Sequence, residues 1–74
     1  MSYWGELFYL LYQIRRKSEA MKQDLPVYVL PSGQMIYSWA KCRFIAILPD
    51  MNIHLTEQEL VDALLKGILV PSDS

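Results

Sequence analysis

Apolar and polar positions divide the chain into blocks of different period. Residues 3–22, YWGELFYLLYQIRRKSEAMK, carry Trp4, Leu7, Phe8, Leu11 and Ile14 at helical spacing, a stripe that predicts an amphipathic helix. Tyr3, Tyr9, Leu10 and Tyr12 widen the stripe most of the way round, and only Gly5, Glu6 and Gln13 interrupt it before Arg15. From there the segment turns polar, through Arg15, Arg16, Lys17, Glu19 and Lys22. The helix therefore begins greasy on nearly every side and ends solvated. Ser2 is placed to cap its start. Asp24-Leu25-Pro26 is placed to end it, because Pro26 disfavours helical backbone at Leu25.

Two β-rich runs follow, 27–30 (VYVL) and 34–39 (QMIYSW), on either side of Pro31-Ser32-Gly33. Proline at the second position of a type I turn, with glycine taking the left-handed conformation after it, predicts a hairpin with a glycine bulge. That register sets Leu30 opposite Gln34, Val29 opposite Met35, Tyr28 opposite Ile36 and Val27 opposite Tyr37. One face then holds Val27, Val29, Met35 and Tyr37, and the other Tyr28, Leu30 and Ile36. Both faces are apolar, the pattern of strands covered on two sides.

Residues 41–48 (KCRFIAIL) alternate weakly and carry Phe44, Ile45 and Ile47, which favours a third strand over a helix capped by Ser38. Thr56-Glu57-Gln58-Glu59 is a T-x-x-E capping box opening the helix ELVDALLK. Leu60, Val61, Leu64 and Leu65 form its buried stripe, and Gly67 its stop. Ile68-Leu69-Val70 is expected to add a short last strand before Pro71, with a frayed tail at 72–74. The expectation is one small α+β domain spanning residues 1–74: a long N-terminal helix, an antiparallel hairpin, a third strand and a C-terminal helix.

Simple dimensions then expose a mismatch. Three strands make a sheet only about 10–15 Å wide, whereas a 20-residue helix is about 30 Å long. Such a sheet covers one side of that helix, so Tyr9, Tyr12 and one sheet face are left without a cover. Composition sharpens the point. The chain has 74 residues and is 53% hydrophobic, and a chain of this length buries only about 60–65% of its unfolded surface. Small folds compensate with disulfides, a metal or oligomerisation. A single cysteine, Cys42, excludes an internal disulfide and points to a reducing, cytoplasmic setting. Cys42 and His54 are the only soft ligands and form no close-spaced pair, which argues against a metal cluster. Oligomerisation remains.

Charge narrows the partners. A net charge of −1 supplies no overall positive field for nucleic acid or an anionic membrane. The basic residues follow the apolar N-terminal run, the reverse of a secretory signal, and that run is shorter than the roughly 20 residues of a membrane span. Cys42 with His54 as base would be a nucleophile pair, but no acidic residue is placed to orient it. We therefore read Cys42 as a buried thiol within a strand and His54 as a polar loop residue. Asp50, Glu57, Glu59 and Asp62 suit capping and the helix dipole, and their spacing matches no calcium loop. Pro31-Ser32-Gly33 is a turn and lacks the lysine of a phosphate cradle.

Two surfaces remain. Trp4, Phe8, Tyr9, Leu11, Tyr12 and Tyr28 supply aromatic and aliphatic anchors of the kind that dominate protein interfaces. Arg15, Arg16, Lys17, Lys22, Lys41 and Arg43 would form a basic patch, with Tyr37 and Trp39 as stacking platforms for single-stranded nucleic acid. In that alternative residues 27–39 take the place of the wing in a winged-helix-like pattern, although the last helix presents Glu57, Glu59 and Asp62 against one Lys66. A third arrangement lays YWGELFYLLYQIRRK on a membrane surface. Its aromatic residues are spread round the helix and Glu6 interrupts the middle, so packing against protein fits better. The sequence thus predicts a non-enzymatic interaction module without cofactor. It pairs with a second copy or another protein through its first helix and a spare sheet face.

Overall fold

The computed structural model describes the backbone of residues 3–72 and the side chains of residues 5–72. The elements run α1 (Tyr3–Met21), β1 (Leu25–Leu30), β2 (Gly33–Ser38), β3 (Arg43–Ile47), β4 (Asn52–Leu55) and α2 (Glu57–Leu65). This is the α+β order expected, with four strands in one antiparallel sheet in the order β1-β2-β3-β4. The fourth strand lies at Asn52–Leu55, ahead of α2, whereas Ile68-Leu69-Val70 is irregular.

Helix α1 ends earlier than Pro26 alone requires. Lys22 adopts a left-handed φ of 57°, its N–H and that of Gln23 both donate to the Ser18 carbonyl, and the buried Ser18 hydroxyl donates to Gln23 O. Leu25 and Pro26 already belong to β1, an edge strand, where a proline removes no ladder bond that the sheet needs. The cap expected from Ser2 lies outside the described residues.

The hairpin register differs from expectation by one residue. Leu30 pairs with Gly33, Val29 with Gln34 and Tyr28 with Met35. The loop is thus Pro31-Ser32 alone, and Gly33 opens β2 without a left-handed φ. Its glycine identity has another cause: a Cβ there would lie 2.1 Å from the Ile47 carbonyl oxygen of β3. A register irregularity between Pro26 and Tyr28 then shifts the pairing by one more residue, setting Pro26 opposite Ile36 and Leu25 opposite Tyr37. Because side chains alternate, a slip of one residue exchanges the faces. Tyr28 and Leu30 accordingly join Met35 and Tyr37, and Val29 joins Ile36.

Strands β2 and β3 are joined by Trp39-Ala40-Lys41-Cys42, with Cys42 at φ 54°. The left-handed residue allows the chain to reverse without glycine or proline, which is why no turn signal marks this segment. Cys42 is therefore exposed in a turn and is not the buried strand thiol expected. At α2 the capping box is complete: Glu59 N–H donates to Thr56 Oγ1 (3.1 Å) and Thr56 N–H to Glu59 Oε1 (2.9 Å). The helix closes with Gly67 at φ 78°, Gly67 N–H donating to Leu64 O and Ile68 N–H to Ala63 O. These are the two bonds of a Schellman ending.

Both helices lie on one side of the sheet, α1 over β1 and β2 and α2 over β3 and β4. The core joins Leu7 and Leu11 of α1, Leu60 and Leu64 of α2, and Leu30, Met35, Tyr37, Phe44 and Ala46 of the sheet. Cross-strand neighbours Tyr37 and Phe44 pack edge to face, ring centroids 4.8 Å apart at 66°. The Arg15 guanidinium of α1 and the Glu57 carboxylate of α2 form an ion pair at 3.3 Å. After α2 the chain returns across the end of the sheet to β1. Tyr28 Oη donates to Leu69 O and Ser72 N–H to Val29 O, each at 2.7 Å.

Candidate interaction surface

Alternation along each strand settles what the uncovered side of the sheet carries. With Met35, Tyr37, Phe44 and Ala46 turned to the helices, the opposite side presents three rows read from the pairing. The middle row is Pro26, Ile36, Ile45 and His54. The row toward the Pro31-Ser32 turn is Val29, Gln34, Ile47 and Asn52. The third holds Ser38 and Arg43. Val29 is 56% exposed and Ile47 41%, while Ile45, in the centre, is only 7% exposed although it is not part of the helix-covered core. Its cross-strand neighbours on this side are Ile36 and His54. No carboxylate occurs in these rows, and Arg43 is their one permanent charge. The result is an aliphatic platform with polar groups toward the rim. Every aromatic residue of the strands (Tyr28, Tyr37, Phe44) is on the helix side.

The outward side of α1 is the second uncovered surface. Leu7, Leu11 and Ser18 mark its inward direction, and at 100° per residue Tyr9, Tyr12 and Arg16 point the opposite way. Tyr9 is 62% exposed and Tyr12 42%. Arg15 and Arg16 each lie over the Tyr12 ring, 5.8 and 5.7 Å from its centroid, and Arg16 Nη1 donates to Tyr12 Oη at 2.9 Å. The residues predicted for the contact thus separate. Tyr9 and Tyr12 are open, Phe8 is half-buried against the core, and Leu11 is fully enclosed. Tyr28 is turned inward and held by Leu69. The Trp4 side chain lies outside the described residues. Val29, Ile45, Ile47 and His54 are the platform residues that the sequence reading did not name. For Ile45 and Ile47 the weak alternation of RFIAI was the signal.

The basic residues are likewise dispersed. Arg15 is engaged with Glu57 and Arg16 with Tyr12, and Lys17 is exposed. Lys22 Nζ stands 5.9 Å from the Trp39 ring centroid, and Trp39 N–H donates to Asp24 Oδ1 at 2.8 Å. Lys41 and Arg43 are exposed beside that turn. Tyr37, expected as a stacking platform, is 2% exposed and inside the core; burial raises its phenol pKa above the ordinary value, with the nearby Cys42 adding to the effect. Beta strand β4, and not a loop, carries the exposed His54.

Elsewhere the surface offers little chemistry. A cavity of about 300 Å³ is lined by Leu30, Pro31, Ser32, Leu48, Gly67, Leu69 and Val70, with no ionisable side chain. Its neighbour, about 340 Å³, holds Asp50 among Ser32, Leu48, Pro49 and Met51. Among the described residues no three His, Cys, Asp or Glu side chains converge on a metal position, and no helix is long and apolar enough to cross a membrane. The chain matches no family model, no curated protein and no solved structure.

Proposed function

We propose that this protein is a non-enzymatic interaction module that self-associates, most simply as a homodimer, with the open sheet face as the contact. One observation carries the reading: both helices cover the same side of the sheet, leaving Val29, Ile36, Ile45 and Ile47 as an aliphatic platform without a carboxylate. An exposed apolar patch of this kind on a small domain marks an interaction site. Burying a Val- or Ile-sized side chain contributes about 1.5–3 kcal/mol relative to full exposure; Val29 at 56% and Ile47 at 41% exposed have roughly half of that to gain, whereas Ile45 at 7% is already screened. The outer side of α1, with Tyr9 and Tyr12, is a second surface for another protein. A reducing cytoplasmic setting suits the unpaired, exposed Cys42.

The test is the solution mass as a function of concentration. Sedimentation should give twice the 8.6 kDa of one chain in the micromolar range, and Val29→Asp with Ile47→Asp should return it to one. Both positions are more than 40% exposed, so the charges reach water in the folded monomer. A wild-type chain that stays at 8.6 kDa up to high micromolar concentration overturns the reading.

The nucleic-acid alternative draws on the Lys22–Trp39 stack beside Lys41 and Arg43. It calls for an oligonucleotide shift that weakens steeply with salt and is lost on Lys22→Ala with Lys41→Ala. The placement of the strand aromatics beneath the helices weighs against base stacking on the sheet.

A further inference from the structure

Resting on the reading of the open sheet face as a self-contact, we infer that the two copies are related by a twofold axis running along the strands, so that Ile36 of each packs on Ile45 of the other. Facing sheets keep their strand directions within about 30° of each other and lie about 10 Å apart. A closed pair then has two choices of axis in the plane between them. An axis across the strands sets each strand over its own copy and exchanges the outer rows. His54 would then face His54, and the Arg43 guanidinium would sit over Ile47. Since the platform holds no carboxylate, nothing there could pair that charge.

An axis along the strands sets β2 over β3 and β1 over β4 with the rows preserved. Ile36 meets Ile45, His54 meets Pro26, Asn52 meets Val29 and Arg43 meets Ser38. Gln34 faces Ile47, a match that its side chain permits. The Gln34 amide nitrogen already donates to the carbonyls of Tyr28 (3.0 Å) and Met35 (3.3 Å), so burial leaves its donors satisfied. Arg43 stays at the end of its row, where water reaches it. No cation faces a cation.

A second copy is the occupant that fits this face. The open side of α1 points away from the platform, so a contact joining the two surfaces would be head-to-tail and would propagate instead of closing. The α1 surface is also studded with Glu6, Arg16, Lys17 and Glu19, whereas the platform is apolar at its centre and complementary to itself. Its size sets the strength. Four strands at about 4.8 Å and five residues at about 3.3 Å span roughly 19 by 17 Å. The area two copies bury is then at the low end of stable interfaces, below about 1,200 Å² in total. A reversible pair is expected, not a permanent one.

Cross-linking of two single-cysteine proteins distinguishes the axes. In a Cys42→Ser background, Ile36→Cys is mixed with an Ile45→Cys protein carrying a mass tag, and the mixture is oxidised with copper phenanthroline. A disulfide-linked dimer of mixed mass, at least fivefold over either homodimer, is expected. Gln34→Cys mixed with Ile47→Cys is a second pair at less buried positions and should behave alike. Efficient cross-linking of Ile45→Cys to itself overturns the axis. So does a wild type that sediments as a dimer while neither mixture cross-links, which leaves self-association standing. A wild type that never exceeds the mass of one chain overturns both the axis and the function on which it rests.

Discussion

The two faces of this sheet are made from the same strands and differ in nearly every physical respect. The helix side holds the bulky, shape-specific residues: Tyr37 edge-on to Phe44, with Met35 and Ala46 alongside, none more than 2% exposed. On the open side are branched aliphatics, one cation and small polar groups. Phe44 and Ile45 are adjacent in sequence, 1% and 7% exposed, and point in opposite directions. Low exposure therefore has two origins here. Phe44 lies in the core between sheet and helices, whereas Ile45 lies on the side without a helix, between its cross-strand neighbours Ile36 and His54. A buried residue need not be a core residue.

Paired truncations measure that contrast, and give the largest effect. Phe44→Ala leaves a cavity between layers and should destabilise by about 3–5 kcal/mol, close to the whole stability of a small domain. Ile45→Ala opens only onto solvent, so it loses transfer free energy without an enclosed void, about 1–2 kcal/mol. Urea unfolding at submicromolar concentration reads both. Equal losses would mean that something covers the open face even in dilute solution, and the distinction between the faces would collapse.

Alkaline titration probes the covered face alone. Burial holds the Tyr37 phenol above the ordinary tyrosine value near 10. Because the folded-state pKa is the higher one, its contribution is fully present below about pH 10 and is lost as pH rises through the folded value. Wild type should lose stability as pH rises above 10 more steeply than Tyr37→Phe, measured as urea midpoints. Coincident profiles would show that the ring is solvated, and the layered core would be in error.

Part of this was legible beforehand, and each misreading has its own physical cause. The capping box at Thr56 and Glu59 and the Gly67 ending are local chemistry, written in adjacent residues, and they hold in three dimensions. The α+β order follows from periodicity and length. The assignment of faces in the first hairpin failed because Pro31-Ser32-Gly33 admits loops of two or three residues. What selects the shorter one is a close approach of the Ile47 carbonyl to Gly33, a contact with a strand fourteen residues on. That single residue moved Tyr28 and Leu30 to the inside and Val29 to the outside. Strand β4 escaped notice because NIHL is short and its inward residues, Ile53 and Leu55, alternate with Asn52 and His54 over four positions only. The Cys42 turn was hidden for a related reason, a left-handed φ on a residue that rarely signals one.

The smallest effect on the monomer belongs to the open face and tells most about function. Ile47 is 41% exposed, at the row beside the Pro31-Ser32 turn. Ile47→Ser removes a half-hydrated side chain from an edge of the platform, so its urea midpoint at submicromolar concentration should shift by no more than about 0.5 kcal/mol equivalent. Association behaves differently, because a partner that binds only the folded state raises Tm as its concentration grows. Wild type should melt several degrees higher at 200 μM than at 2 μM. Ile47→Ser should flatten that dependence, since the isoleucine that a second copy would dehydrate is gone. A core residue produces the opposite pattern, a large loss at every concentration with the dependence retained. If Ile47→Ser kept the full concentration dependence of wild type, the platform would not be the surface through which copies meet, and the outer side of α1 with Tyr9 and Tyr12 would be the one to test next.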